Sequence, residues 1–148
     1  MRADRPLLEP LYIVSGTAFE YAACTIPGIA VFTDPDEVPL DYYSRLPNGR
    51  TLPVMVVEGG CTSGAAGAID SSPEKQARYI RRQARMLDSV RARAVFQLTF
   101  TDLDTASLNL PPGSILPLFA SLGLVDSDLR PKIALTVWDS LFALPRTP

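Results

Sequence analysis

Apolar residues fall along this chain in short blocks whose spacing changes from one block to the next. The run Val54-Met55-Val56-Val57 has no polar alternation, so it predicts a strand over 53–58 covered on both faces, as in parallel sheets. That strand ends on an acid, Glu58, and opens at once onto Gly59 and Gly60. Residues 94–100 alternate Val95, Gln97 and Thr99 with Phe96, Leu98 and Phe100, which predicts a second strand with Asp102 and Asp104 at its exit. Between the two strands the spacing turns helical. Ala77, Ile80, Ala84, Leu87 and Arg91 recur at i, i+3 and i+4 with Val90 beside them, a stripe that should face a core and leave the arginines mainly opposite. Ser72 suits the N-cap of this helix, Pro73 its first position and Glu74 its first turn.

The remaining blocks extend the alternation. "PLYIVS" at 10–15 reads as an earlier strand, and "PGIAVF" at 27–32 is a short apolar stretch without an assigned role. "VPLDYYSRLPNG" at 38–49 predicts a short helix entered through Pro39 and closed by Asn48 and Gly49. A final helix is expected near 131–143, with Ala134, Val137 and Leu141 on the core side and Trp138 beside them. Strand, helix, strand, helix with acids at the strand exits indicates repeated β/α units, in a barrel or an open doubly wound sheet. In both architectures chemistry gathers at the carboxyl ends of the strands, which singles out Glu58. "EGGCTSGAAGA" has neither the G-x-G-x-x-G spacing nor the lysine of a phosphate-binding loop, and no repeat of fixed period is present.

Composition narrows the chemistry. The 148 residues, 47% of them hydrophobic, are enough for one ordinary domain. A net charge of −2 gives no electrostatic reason to expect nucleic acid or an anionic membrane as partner. The chain has no histidine, which removes Ser-His and Cys-His nucleophiles and imidazole metal sites and leaves Asp and Glu for acid–base work. Cys24 and Cys61 are too few and too far apart for a thiol metal site or a disulfide framework, and are expected to be free, mostly buried thiols. No metal or other cofactor is expected. "MRADRPLLEP" lacks the apolar core of a signal peptide and no apolar run approaches a membrane span, so the chain as given is expected in the cytoplasm, although a parent enzyme could be secreted.

The order "DPDEVPLDYYSRL", "LPVMVVEGG", a Pro-capped helix, "VFQLTFTDLD" and "LFASLGLVDSDLRPKIALTVWDSL" resembles the C-terminal part of a retaining glycoside hydrolase of the TIM-barrel clan, nearest to the endo-β-1,4-galactanase-like enzymes. The similarity runs over roughly 20–143, and its most specific parts are the Glu-Gly after the strand and the segment from Gly123 to Trp138. The resemblance implies an α/β fold, a partial (β/α) barrel in which 1–148 supply only the last β/α units as a single incomplete unit. It implies Glu58 as the nucleophile at the end of the seventh strand. The acid/base of such enzymes usually comes from an Asn-Glu pair, and no such dipeptide occurs in this chain. The partner so implied is carbohydrate, a β-linked polysaccharide or oligosaccharide. Among residues at the second strand's exit, Phe100 and Asp102 are the candidates for touching sugar, with core packing and a loop or cap role as their alternatives.

Other readings compete. Glu58 could be a structural acid paired with an arginine. Residues 73–93 hold seven of the 14 basic residues, a face that would suit a nucleic-acid-binding module, although no aromatic residues interleave with it and a solvated helix surface is the simpler expectation. The acids Asp34, Asp36 and Glu37 match no calcium-loop spacing and read as a solvated turn. A third class is a non-catalytic interaction protein, because an incomplete barrel leaves strand edges and an apolar inner face open to self-association.

Overall fold

The computed structural model describes residues 12–15, 34–45, 53–65, 70–114 and 116–145. Three strands, β1 (Tyr12–Ser15), β2 (Val54–Gly59) and β3 (Ala94–Gln97), form one parallel sheet in the order β1-β2-β3. The molecule is α/β. β2 is central, and β2 and β3 are neighbours joined through α2 (Pro73–Ser89), as the alternating pattern predicts. A one-turn helix α1 (Tyr42–Arg45) lies within the expected 38–49 segment, and α3 (Ile133–Phe142) occupies the last expected helix. Asn48, Gly49 and the block 27–32 fall outside the described residues.

α2 begins where its local chemistry allows. Ser72 is extended and its side chain accepts from Lys75 N at 3.2 Å, while Pro73 fills a position whose N–H has no helical partner. It ends at Val90 in a left-handed turn. Arg91 takes φ 49°, its N–H donates to Asp88 O at 3.1 Å, and Ala92 N donates to Leu87 O at 2.9 Å, the paired bonds of a Schellman cap.

Its buried face is broader than the apolar stripe implies. Ala77 and Ile80 are buried as expected, but so are Gln76, Tyr79, Gln83 and Met86, while Ala84 and Leu87 are only half-buried. The reason is packing on several sides. Gln76 Nε2 donates to the carbonyls of Leu122 and Gly123, both at 3.1 Å, and Gln83 Nε2 donates to the hydroxyl of buried Tyr43 at 3.4 Å. Polar side chains with such partners can enter a core that a hydrophobicity pattern reserves for apolar ones.

The basic face of α2 is partly occupied by the chain itself. Arg78 pairs with Asp34 and Asp36, Arg82 donates twice to Val38 O, and Ser89 Oγ donates to Leu40 O. Segment 34–40 is thereby strapped along the helix. Asp34 is also the N-cap of the short 3-10 helix Pro35–Glu37, accepting from Asp36 N at 2.9 Å. On the sheet-facing side, Val54, Val56, Ala77, Ile80, Met86, Leu124, Ala134 and Val137 form one core, with Val95, Trp138 and Leu141 packed against it.

Two expectations need correction. Cys61 is not a free thiol: it is disulfide-bonded and 1% exposed, and Cys24 lies outside the described residues. The strand expected over 94–100 ends at Gln97 because its continuation changes partner. Leu98 N still donates to Gly59 O at 2.8 Å, but Phe100 O accepts from Leu124 N and Val125 N, and Thr101 bridges to Val125 in parallel. No helix among the described residues is long and apolar enough to cross a membrane.

Candidate functional site

Parallel strands bring their exits to one edge, and here the exits of β2 and β3 meet. Glu58 is the last residue but one of β2, with its backbone opposite Ser15 of β1. Gly60 follows at φ 154°, and a Cβ there would lie 2.9 Å from Gln97 Nε2. Glycine lets the β2 exit pass close under the Gln97 side chain, which donates onward to Leu122 O at 2.8 Å. The loop that follows is not an open rim. Gly60, Cys61, Thr62 and Ser63 are all buried, and Ser71 Oγ donates to Thr62 O at 2.6 Å.

Phe100 and Asp102, the candidate sugar contacts, lie at the β3 exit but in different surroundings. Phe100 is 58% exposed, with its carbonyl engaged by Leu124 and Val125. Asp102 is drawn into the protein. Its Oδ1 accepts from Lys132 Nζ at 2.5 Å and from Gly123 N at 2.9 Å, and only 18% of the side chain is exposed.

Lys132 is the residue that sequence reasoning passed over. Positioned as the N-cap of α3, it sends its ammonium back to the sheet edge, where Asp102 Oδ1, Ser63 Oγ at 2.9 Å and Ser121 O at 3.4 Å accept from it. Three donors meet three acceptors from three loops. The available signal was the Pro-Lys of the "GLVDSDLRPK" segment, each part of which now has a physical reason. A Cβ on Gly123 would sit 2.3 Å from Asp102 N and from Thr101 C, so only glycine fits. Leu124 is 3% exposed in the core. Asp126 Oδ1 accepts from Asp128 N and Arg130 N and shapes the turn, in which Leu129 takes φ 64°. Pro131 bridges to Val125 and delivers Lys132.

Two clefts lie elsewhere on the molecule. One, of about 140 Å³, is apolar and runs between α2 and α3 past Leu87, Trp138 and Phe142; the other, of about 400 Å³, is polar and borders the start of α2 at Asp70, Lys75 and Arg78. Among the described residues no group of three or more Cys, Asp or Glu side chains is placed to hold a metal ion.

No family model and no curated protein matches this chain. Its fold is similar to that of the β-glucuronidase of Faecalibacterium prausnitzii, with a TM-score of 0.57 and 22% identity, covering 80% of this chain and 20% of that one. It is likewise similar to the Ruminococcus gnavus β-glucuronidase, with a TM-score of 0.52 and 20% identity, covering 74% of this chain and 19% of that one. The chain thus spans about a fifth of the length of these enzymes. Both neighbours are glycoside hydrolases of the TIM-barrel type, and neither is a galactanase. At these identities the likeness is one of fold.

Proposed function

We propose that these residues are the last β/α units of a retaining glycoside hydrolase barrel that acts on β-linked saccharides, with Glu58 as its nucleophile. The observation that carries this reading is the place of Glu58: next to last in the central strand of a parallel sheet, at the edge where the β3 exit joins it through the Leu98 N to Gly59 O bond. A retaining glycosidase attacks the anomeric carbon with one carboxylate and protonates the departing oxygen with a second, about 5–5.5 Å away. A strand hydrogen-bonded on both sides holds the first carboxylate's backbone rigidly. The acid/base would come from barrel units that these residues do not contain, because a full barrel needs about 200 residues or more. Exposed Phe100 at the β3 exit is the candidate apolar platform for a sugar, and Asp102 the candidate acceptor for a sugar hydroxyl.

The fold neighbours make a β-glucuronide the first saccharide to try, and the sequence resemblance makes a β-1,4-galactan the second. A chain without its acid should not turn over ordinary substrates, but it can still react with a glycoside whose leaving group needs little protonation. Incubation with the 2,4-dinitrophenyl 2-deoxy-2-fluoro-β-glycosides of both sugars, followed by peptide mass spectrometry, should find one sugar adduct on Glu58. Absence of any adduct, or the same adduct yield in Glu58→Gln, removes the nucleophile assignment.

A further inference from the structure

The polar cluster around Lys132 has a geometry that a helix cap alone does not require. Its Nζ reaches Ser63 on the β2 exit loop at 2.9 Å, Asp102 on the β3 exit at 2.5 Å and Ser121 O on the returning segment at 3.4 Å, with 13% of its side chain exposed. The acceptors are themselves tied together. Ser63 N and Oγ both donate to Ser121 O, at 2.8 and 3.1 Å, and Gly123 N donates to the same Asp102 oxygen that Lys132 holds. One ammonium therefore fixes the spacing of three loops at the sheet edge, and one of them begins at Gly60, two residues after Glu58.

From this we infer that Lys132 is a positioning residue for that edge: its charge, shared between Asp102 and Ser63, holds the β2 exit in register against the β3 exit. Its relevance to catalysis rests on the reading of Glu58 as nucleophile; the clamp itself does not. A neutral side chain of the same length would leave Ser63 Oγ without this donor and Asp102 Oδ1 without its counter-ion in a mostly dry site, where charged hydrogen bonds are strongest. Ser63 would keep its bonds to Ser121, so the fold of the loop would persist while its tie to the β3 exit is lost.

Hydrogen exchange on the full chain tests the clamp. In Lys132→Met the amides of residues 60–63 should exchange about tenfold faster or more, those of 76–87 in α2 should stay within twofold of the parent, and Lys132→Arg should restore protection. Unchanged exchange over 60–63, or an equal rise across α2, overturns the inference. If Lys132→Met does not fold, Lys132→Gln carries the same test, since it is neutral and too short to join Ser63 to Asp102 yet leaves Ser63 its own bonds to Ser121: faster exchange in 60–63 supports the clamp and parental exchange defeats it. The fluoroglycoside adduct on Glu58 separates this result from the functional reading. An adduct that forms about tenfold more slowly in Lys132→Met and recovers in Lys132→Arg places the clamp in service of the nucleophile, and an adduct formed at the parental rate despite loosened loops denies it that role. No adduct in the parent chain defeats the nucleophile alone and leaves the exchange result to decide the clamp.

Discussion

Arg78 grips Asp34 across the groove between α2 and the 34–40 segment, with Nη2 to Oδ2 at 2.6 Å, while its other terminal nitrogen reaches Asp36 at 3.1 Å. The two residues are 44 positions apart in the chain, so this contact joins elements that local structure does not. Asp36 N–H first, and then the Arg78 guanidinium, hold the Asp34 carboxyl below its ordinary range, against an opposing push from burial. The sign follows: a depressed carboxylate adds stability above its unfolded value, about 3.9, and that contribution is lost as pH falls through the lower folded value. Asp34→Ala should cost about 1 kcal/mol at pH 7, most of it from the lost cap, because the ion pair is too exposed to add more than a few tenths. Urea unfolding of the two chains should show that difference at pH 7 and a much smaller one well below pH 3.9, where Asp34 is protonated in both states; an equal gap at both values would mean that the carboxylate charge plays no part.

Gly123 should resist every substitution. A methyl group there meets backbone atoms on three sides, at 2.3 Å from Asp102 N and Thr101 C and 2.6 Å from Val125 O, and backbone cannot step aside as a flexible side chain can. Gly123→Ala is expected to cost at least about 2–3 kcal/mol and to break the Gly123 N to Asp102 bond. Gly113→Ala is the control. It has open space around its Cβ position and only a φ of 82° to oppose it, so about 1 kcal/mol is expected. Thermal denaturation of the pair checks the ranking.

Arg91 offers a change in the other direction. It occupies the left-handed position of the Schellman cap at φ 49°, where an L side chain costs roughly 1 kcal/mol that glycine does not. Arg91→Gly should raise the urea midpoint by the equivalent of about 0.5 kcal/mol with an unchanged slope, the difference from the full cost being the greater freedom of glycine in the unfolded chain.

What could be read from residues alone divides along physical lines. β2, α2 and α3 were legible because each concentrates its signal locally: an unbroken apolar run, a Ser-Pro-Glu start, an apolar stripe. The end of β3 was not, since Phe100 and Thr101 still alternate as a strand while their hydrogen bonds pass to Leu124 and Val125, a partner choice that no local pattern contains. The same holds for Gln76 and Gln83. Their burial depends on the Leu122 carbonyl and the Tyr43 hydroxyl, which lie 46 and 40 residues away. At the sheet edge the place of Glu58 was legible and the fate of Asp102 only half so. Its place at the β3 exit follows from the pattern, but its lysine partner, 30 residues on, required the fold. Arginines 78 and 82 looked like a free basic face because their acceptors, Asp34 and the Val38 carbonyl, belong to a segment more than 40 positions upstream.

The last expectation concerns the exposed aromatic residues of β3 and its exit. Val56 of β2 pairs with Val95 of β3 in register, and Val95 packs on the helix-side core, so by alternation Phe96 projects from the opposite face. There it is 53% exposed, on the face that carries Met55, and Phe100 beyond the strand end is 58% exposed. Parallel sheets bury both faces, and in a closed barrel this one would be filled by layers of inward side chains. With Phe96 and Phe100 exposed there among the described residues, the chain should associate through this face, running larger than a monomer on a sizing column at tens of micromolar. Phe96→Lys removes apolar area from that face and adds repulsion between copies while leaving the Val56–Val95 pair in place, so it should shift the chain toward monomer without lowering its unfolding midpoint. If the parent chain is already monomeric, or if Phe96→Lys associates as strongly as the parent, this face is not the surface through which copies meet.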